Sequence, residues 1–357
     1  MRTPSMLFAP LLPWFARARR DLPWREPRRD PYRVWLSEVM LQQTRVEVVV
    51  PYYRRFLERF PTLEALAAAR EDEVLALWSG LGYYARGRNL HRAARAAASG
   101  GLPHSAAKLR ELPGFGAYTA AAVASLAFGE QVPLVDGNVA RVLARVLRLP
   151  GDAAQVRTRA WRVAPQLLPE GRAGEFNEAL MELGATVCTP RSPRCGSCPL
   201  EAGCGARREG DPSAFPAGAT KKQRPVLVWA APALLRADGA VLLRRRGDGE
   251  LFAGMWGLPS QPVSADGVAA AARRALAASG VPATARLEAC GEVRQTLTHR
   301  ELHVMLFRGR ARTRNPPAGL RWASPADFPE LALSSLALKC LRAVGVAVPV
   351  DTAPNHR

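Results

Sequence analysis

Along residues 1–187 apolar positions recur at intervals of three and four, the repeat of a helix with one buried face. LEALAAAREDEVLALW (63–78), NLHRAARAAASG (89–100), TAAAVASLAFG (119–129) and NVARVLARVLRL (138–149) keep that spacing and end near Gly or Pro, with no strand-like alternation competing. The opening MRTPSMLFAPLLPWF predicts an amphipathic first helix. Its apolar run flows into ARARRDLPW without a cleavage region, so the chain is expected in the cytoplasm. From residue 226 the period changes. VLVWAAPALLRADGAVLLRRRG (226–247) reads as two strands joined at a turn containing Asp-Gly, and VAAAARRALAASG (268–280) as one helix. ARLEACGEV, LTHRELHVMLFRGRART and a last helix near 333–344 complete a small α+β domain. The expected organisation is a helical domain over 1–204, a Gly/Pro/Ala-rich charged linker over 205–225, and the α+β domain over 226–350.

Composition agrees with this division. At 357 residues and 48% hydrophobic, the chain has room for two cores, and no stretch of eighteen apolar residues interrupts it. The formal net charge is +19 and is shared: 30 Lys/Arg against 21 Asp/Glu in residues 1–220, and 20 against 10 in the rest. A polyanion touching both halves accounts for this. So does compositional drift, because Arg outnumbers Lys 46 to 4.

Two short stretches carry chemistry. Cys188, Cys195, Cys198 and Cys204 follow a C-x6-C-x2-C-x5-C spacing, which in a cytoplasmic chain points to a metal centre rather than disulfides. Zinc sites usually pair their ligands as two close couples and this spacing has only one, which favours a [4Fe–4S] cubane. Arg191, Arg194, Arg207 and Arg208 surround the loop with positive charge, while Cys290 and Cys340 stand alone and are expected in the core. The second stretch, KLRELPGFGAYTAAAVASLA (108–127), reads as helix, tight turn, helix. Gly114 and Gly116 allow close backbone approach, and the following helix offers unpaired N–H groups to an anion the size of a phosphate; a plain helix-packing turn would look similar.

LPGFG followed by the cysteine loop resembles the helix-hairpin-helix superfamily of DNA glycosylases in its iron–sulfur branch. WLSEVMLQQTRVEVV (35–49), LWSGLGYYARGRNLH (77–91), PLVDGNVARVLARV (133–146) and FNEALMELGATVCTPRSPRC (176–195) are similar to the adenine DNA glycosylase family, which removes adenine mispaired with 8-oxoguanine. The resemblance covers the first 204 residues in the family's order. It implies a mainly α, two-lobed glycosylase domain with a [4Fe–4S] loop. The implied partner is double-stranded DNA containing A·8-oxoG or A·G mispairs, met in the bacterial cytosol and on the nucleoid when bound; with no repeat pattern suggesting assembly, a monomer is expected.

The implied chemistry needs two carboxylates, one to protonate the leaving base and one to stabilise a cationic sugar. Glu38, in an otherwise mostly apolar helix segment, is expected to have a raised pKa and to protonate adenine N7 before helping to activate water. Asp136, at a helix start where capping N–H groups would keep it ionised, is expected to steady the oxocarbenium ion. Tyr118 and Asn138 would shape that face, Glu178 would contact the exposed edge of adenine, and Trp24 and Arg25 would line the pocket. Bifunctional relatives place a Schiff-base lysine where Tyr118 stands, so the resemblance implies a monofunctional enzyme that finishes with water. Gln43 and Tyr83 match residues wedged into the base stack, with Gly80 and Gly82 letting the loop enter the minor groove; Gly114 and Gly116 would meet the DNA backbone.

LFAGMWGLPS with the helix after it resembles a Nudix domain. The glutamates that would hold magnesium are absent, with Ala275, Ala277 and Ala278 around their place, so the domain is expected to recognise rather than hydrolyse. Where the family uses Phe-Ser-His to check for 8-oxoguanine, this chain has Leu297, Thr298 and His299. Two alternatives stand beside this: a bifunctional endonuclease III-like enzyme acting on oxidised pyrimidines, and a catalytically silent DNA-binding iron–sulfur protein.

Overall fold

The computed structural model describes residues 4–218, 224–281, 286–311, 315–316 and 319–348. The chain divides into two compact units, residues 1–67 with 92–221 and residues 68–91 with 222–357.

The first unit is helical. Its helices begin where the sequence supplies caps: the Asp30 carboxylate accepts from the Arg33 amide at 2.9 Å ahead of helix Pro31–Leu41, with Pro31 opening that helix. Asp136 caps Gly137–Leu147 and Asp152 caps Ala153–Val163 in the same way. Leu11, Phe15, Val139, Leu143, Leu180 and Leu183 are buried together in one core between these helices and Ala173–Thr186. Gly184 lets two of the helices approach closely: a Cβ there would lie 2.6 Å from the Asn138 Cβ. Residues 205–217 fold back onto this unit through two short helical turns, and the Ala217 amide donates to the Gly151 carbonyl.

The second unit is a mixed sheet with helices against it. Its strands are β1 (Val226–Leu235), β2 (Val241–Arg245), β3 (Trp256–Gly257), β4 (Gln261–Pro262), β5 (Glu288–Thr296), β6 (Glu301–Arg310) and β7 (Leu320–Ala323). The order is β3-β2-β1-β6-β5, with β4 on β1 and β7 on β2; β1 and β6 run parallel and the other pairings are antiparallel. Helix Val268–Ala277 buries Ala271, Ala272, Ala275 and Leu276 towards the sheet.

Two expectations need correction. The apolar run 63–78 is not one helix but two, Leu63–Ala68 and Glu71–Trp78. Three successive acids at 71–73 favour a new helix N-terminus, and the Glu73 carboxylate reaches back to the Arg70 amide at 3.3 Å. Cys340 is buried as expected, but Cys290 is exposed, because β5 is an edge strand whose residues are mostly solvent-facing.

Candidate active site and recognition loop

Ten of the expected site residues line one cleft of about 700 Å³ in the first unit: Trp24, Arg25, Glu38, Gln43, Gly114, Gly116, Tyr118, Asp136, Asn138 and Glu178. Glu38 lies on the buried face of Pro31–Leu41 and is only 5% exposed. The Tyr118 hydroxyl donates to its Oε2 at 2.5 Å and also meets the Met181 sulfur at 3.3 Å. Burial pushes the Glu38 carboxyl up to about 7; Asp136 and Glu178 push the same way, while the Tyr118 hydrogen bond and Arg25 oppose them. Burial also drives the Tyr118 phenol well above its ordinary value, so it stays a proton donor.

Asp136 accepts from the Val139 amide at 2.6 Å and from Asn138 Nδ2 at 3.0 Å. These caps were expected to hold it ionised. Burial is the larger influence and raises its pKa, with the Val139 and Asn138 hydrogen bonds and Arg141 pulling it back. Two buried carboxyls thus share the cleft in different settings, Asp136 with several compensating donors and Glu38 chiefly with a phenol.

Gly114 turns with φ +78°, and helix Ala117–Ala127 starts at Gly116 with no side chain capping it and open space where a Cβ would stand. Gln43 also adopts a left-handed φ of +59°, just past the end of Pro31–Leu41. Trp24 is 7% exposed and stacks edge-on against Tyr53 at 5.4 Å, so it is largely a wall residue.

The sequence did not reveal the ion-pair network in the wall of this cleft. Glu178 pairs with Arg25 at 3.3 Å and Arg29 at 2.6 Å, and Glu182 pairs with Arg20 at 2.7 Å and Arg25 at 2.9 Å. The four-residue spacing of Glu178 and Glu182 puts both on one helix face, the only sequence signal for the second of them.

The four cysteines gather around one small cavity, together with Arg145, Arg194 and Arg207. Tetrahedral zinc, with Zn–S of about 2.3 Å, needs its sulfurs drawn into a tight cage. Among the described residues no three His, Cys, Asp or Glu groups converge in that way, while the four thiols around the cavity are the donor set that an iron–sulfur cluster takes. Burial pushes the Cys198 thiol up to about 12 and raises Cys204 too, so a cationic centre is what would hold them as thiolates. Arg145, also absent from the sequence expectations, is 2% exposed and grips the loop. It donates to the Thr189 carbonyl at 2.7 Å, the Pro190 carbonyl at 3.0 Å and the Cys188 sulfur at 3.3 Å. Arg141 links the Cys188 carbonyl, at 2.8 Å, to Asn138 Oδ1, also at 2.8 Å.

The remaining expected residues lie in the second unit, where Tyr83, Leu297, Thr298 and His299 line a cleft of about 580 Å³. Leu297–Arg300 form the tip between β5 and β6, closed by the Leu297 amide on the Arg300 carbonyl at 2.8 Å. Tyr83 is 46% exposed, at φ +48°, beyond Gly80 and Gly82, which are also left-handed. The Arg86 guanidinium lies over both the Trp78 and Tyr83 rings, and the Tyr83 hydroxyl hydrogen-bonds the Thr298 hydroxyl at 2.8 Å. Tyr84, by contrast, is buried and accepts from the Ser335 amide at 2.8 Å. Helix Val268–Ala277 carries no acidic residue.

Similarity to known proteins follows the same divisions. The HhH-GPD superfamily base excision DNA repair protein model matches residues 36–166, the iron–sulfur binding domain of endonuclease III matches 188–204, and a NUDIX domain matches 230–343. The chain is 37% identical to adenine DNA glycosylase of Homo sapiens, over 93% of this chain and 72% of that protein. It is 47% identical to adenine DNA glycosylase of Mycolicibacterium smegmatis, over 60% of this chain and 72% of that one. Among solved structures, a thermostable thymine-DNA glycosylase superposes with a TM-score of 0.52 at 29% identity, covering 57% of this chain and 96% of that one.

Proposed function

The chain belongs to the adenine DNA glycosylase family, and from that premise we propose that it hydrolyses the N-glycosidic bond of adenine mispaired with 8-oxoguanine or guanine in duplex DNA, without a lyase step. It is a DNA glycosylase of base excision repair whose Cys188, Cys195, Cys198 and Cys204 form a [4Fe–4S] site of the endonuclease III type. Bound there, a [4Fe–4S] cluster would cross-link the four cysteines of the loop that Arg145 grips.

The observation that carries the proposal is the 2.5 Å hydrogen bond from Tyr118 to Glu38 inside the buried cleft. A carboxyl with a pKa of about 7 holds a proton near neutrality and can give it up to the N7 of an extruded adenine. The C1′–N9 electron pair then leaves with the protonated base, which departs as neutral adenine and not as an anion. The Asp136 carboxylate faces the oxocarbenium ion that remains, and Asn138 orients it at 3.0 Å. Water adds to C1′ and returns its proton to Glu38. A phenol beside Glu38 cannot form a Schiff base with the sugar, which supports hydrolysis alone. Glu178 and Arg25 line the wall where the adenine edge would rest.

Recognition of the opposite base falls to the second unit, where Thr298 presents a hydroxyl at an exposed hairpin tip beside Tyr83. The Nudix-like domain lacks acids on its helix and therefore recognises rather than hydrolyses. Left-handed Gly114 and the uncapped start of Ala117–Ala127 suit a DNA phosphate.

The test is a single-turnover assay on duplexes carrying A·8-oxoG, A·G, A·T or thymine glycol·A, developed with and without alkali. Adenine release fastest from A·8-oxoG, with strand breaks appearing only after alkali, is the expected result. Thymine glycol release with breaks forming unaided would return the chain to the bifunctional alternative.

A further inference from the structure

Arg25 is the cation that opposes the raised pKa of Glu38, and it does not stand alone. Its Nη2 donates to Glu182 Oε2 at 2.9 Å, while Arg20 grips the same carboxylate with Nε at 2.7 Å and Nη2 at 2.9 Å. The Arg20 amide adds a fourth donor at 3.2 Å, and the Glu182 side chain has no exposed surface. A carboxylate this buried and this fully ligated is fixed in place, and so are the two guanidinium groups on it. Glu182 sits one helical turn from Glu178, which holds the other side of Arg25 at 3.3 Å. Arg25 is therefore clamped between two carboxylates in the wall of the catalytic cleft.

We propose that Glu182 is a positioning residue of the active site: by holding and neutralising Arg25 and Arg20 it keeps Glu38 protonated for transfer to adenine. The proposal rests on the functional reading above and deepens it. Glu38 is faced by Asp136, Glu178, Arg25 and the Tyr118 hydroxyl; Glu182 is faced by Arg20 and Arg25, and Arg20 also by Glu47. Burial alone would push Glu182 up, but Arg20 and Arg25 together bring it below its ordinary value, so it is an anion at the working pH. Removing that anion leaves Arg25 and Arg20 under-neutralised and strengthens the cationic field that favours ionised Glu38.

The experiment compares wild type, E182Q and the charge-balanced double variant R20M/E182Q on an A·8-oxoG duplex, by single-turnover adenine release across pH. Circular dichroism and the visible absorbance of the cluster check that each is folded. For E182Q the rate at pH 7.5 should fall roughly threefold, and the limb on which activity is lost with rising pH should move down by about half a unit. The double variant, from which one liberated cation is gone, should move that limb back towards wild type. An active wild type whose pH limb E182Q shares would overturn the proposal, as would a slow E182Q with an unmoved limb that R20M does not relieve. Absence of release by wild type from any mispair overturns the functional reading itself, and the proposal with it.

Discussion

The two clefts are built by opposite means. In the first, charge is buried and over-determined: Glu38 is 5% exposed and Glu182 1%, and each is held by named donors. In the second, the expected contacts are exposed and lightly held: Tyr83 is 46% exposed at a left-handed φ and shares one hydroxyl hydrogen bond with Thr298. A site that must hold a proton against its natural tendency to leave needs low dielectric and fixed charges. A site that reads a base in DNA needs surface reach, and it uses backbone strain and a cation–π buttress in place of burial. Substitutions should therefore act through protonation in the first cleft and through discrimination in the second.

The largest expected effect is at Glu38. Glu38→Gln should slow adenine release by about a thousandfold or more, measured in single turnover. It should also stabilise the protein at pH 8. The folded pKa of about 7 lies above the ordinary 4.5, so the stability associated with protonated Glu38 is full below 4.5 and is lost as pH rises through 7. The gain from Gln is up to about 3 kcal/mol at pH 8 and vanishes towards pH 4.5, which urea titrations at pH 5 and 8 will check. Next is Arg145→Met, which strips the cysteine loop of three backbone and sulfur contacts formed by a buried cation and should cost about 3 kcal/mol. Faster bleaching of the cluster absorbance by a chelator would report it.

Tyr118→Phe should be milder. It removes a hydrogen bond that lowers the Glu38 pKa, so the alkaline loss of activity should move to higher pH while the rate below it falls about tenfold. Thr298→Val is the smallest and belongs to the other cleft. The ratio of A·8-oxoG to A·G release should fall roughly fivefold with no movement of the pH limb. A shifted limb there, or changed base preference in Tyr118→Phe, would break the distinction between the clefts.

Much of the architecture was readable because it rests on local pattern. The cysteine spacing, the Asp136 cap, the LPGFG turn and the strands around the Asp-Gly turn each need only neighbouring residues to be interpreted. What escaped depends on distant partners. Glu182 is held by an arginine 162 positions away, and Arg145 looks like the polar face of an amphipathic helix until the 188–190 loop returns over it. Glu71–Trp78 separated from Leu63–Ala68 because three acids outweighed a continuous apolar repeat. Cys290 is exposed because β5 has a neighbour on one side only, and strand order is not written in any one strand.

A carboxyl with a pKa near 7, beside a phenol and not an amine, should drive hydrolysis of the adenine N-glycosidic bond. The pH dependence of single-turnover adenine release from A·8-oxoG tests it most directly, with borohydride added in parallel to trap any enzyme–sugar imine. Release that falls above about pH 7, with no trapped adduct, is the expected outcome. Release that rises through the same range, or a covalent adduct trapped by borohydride, would contradict it.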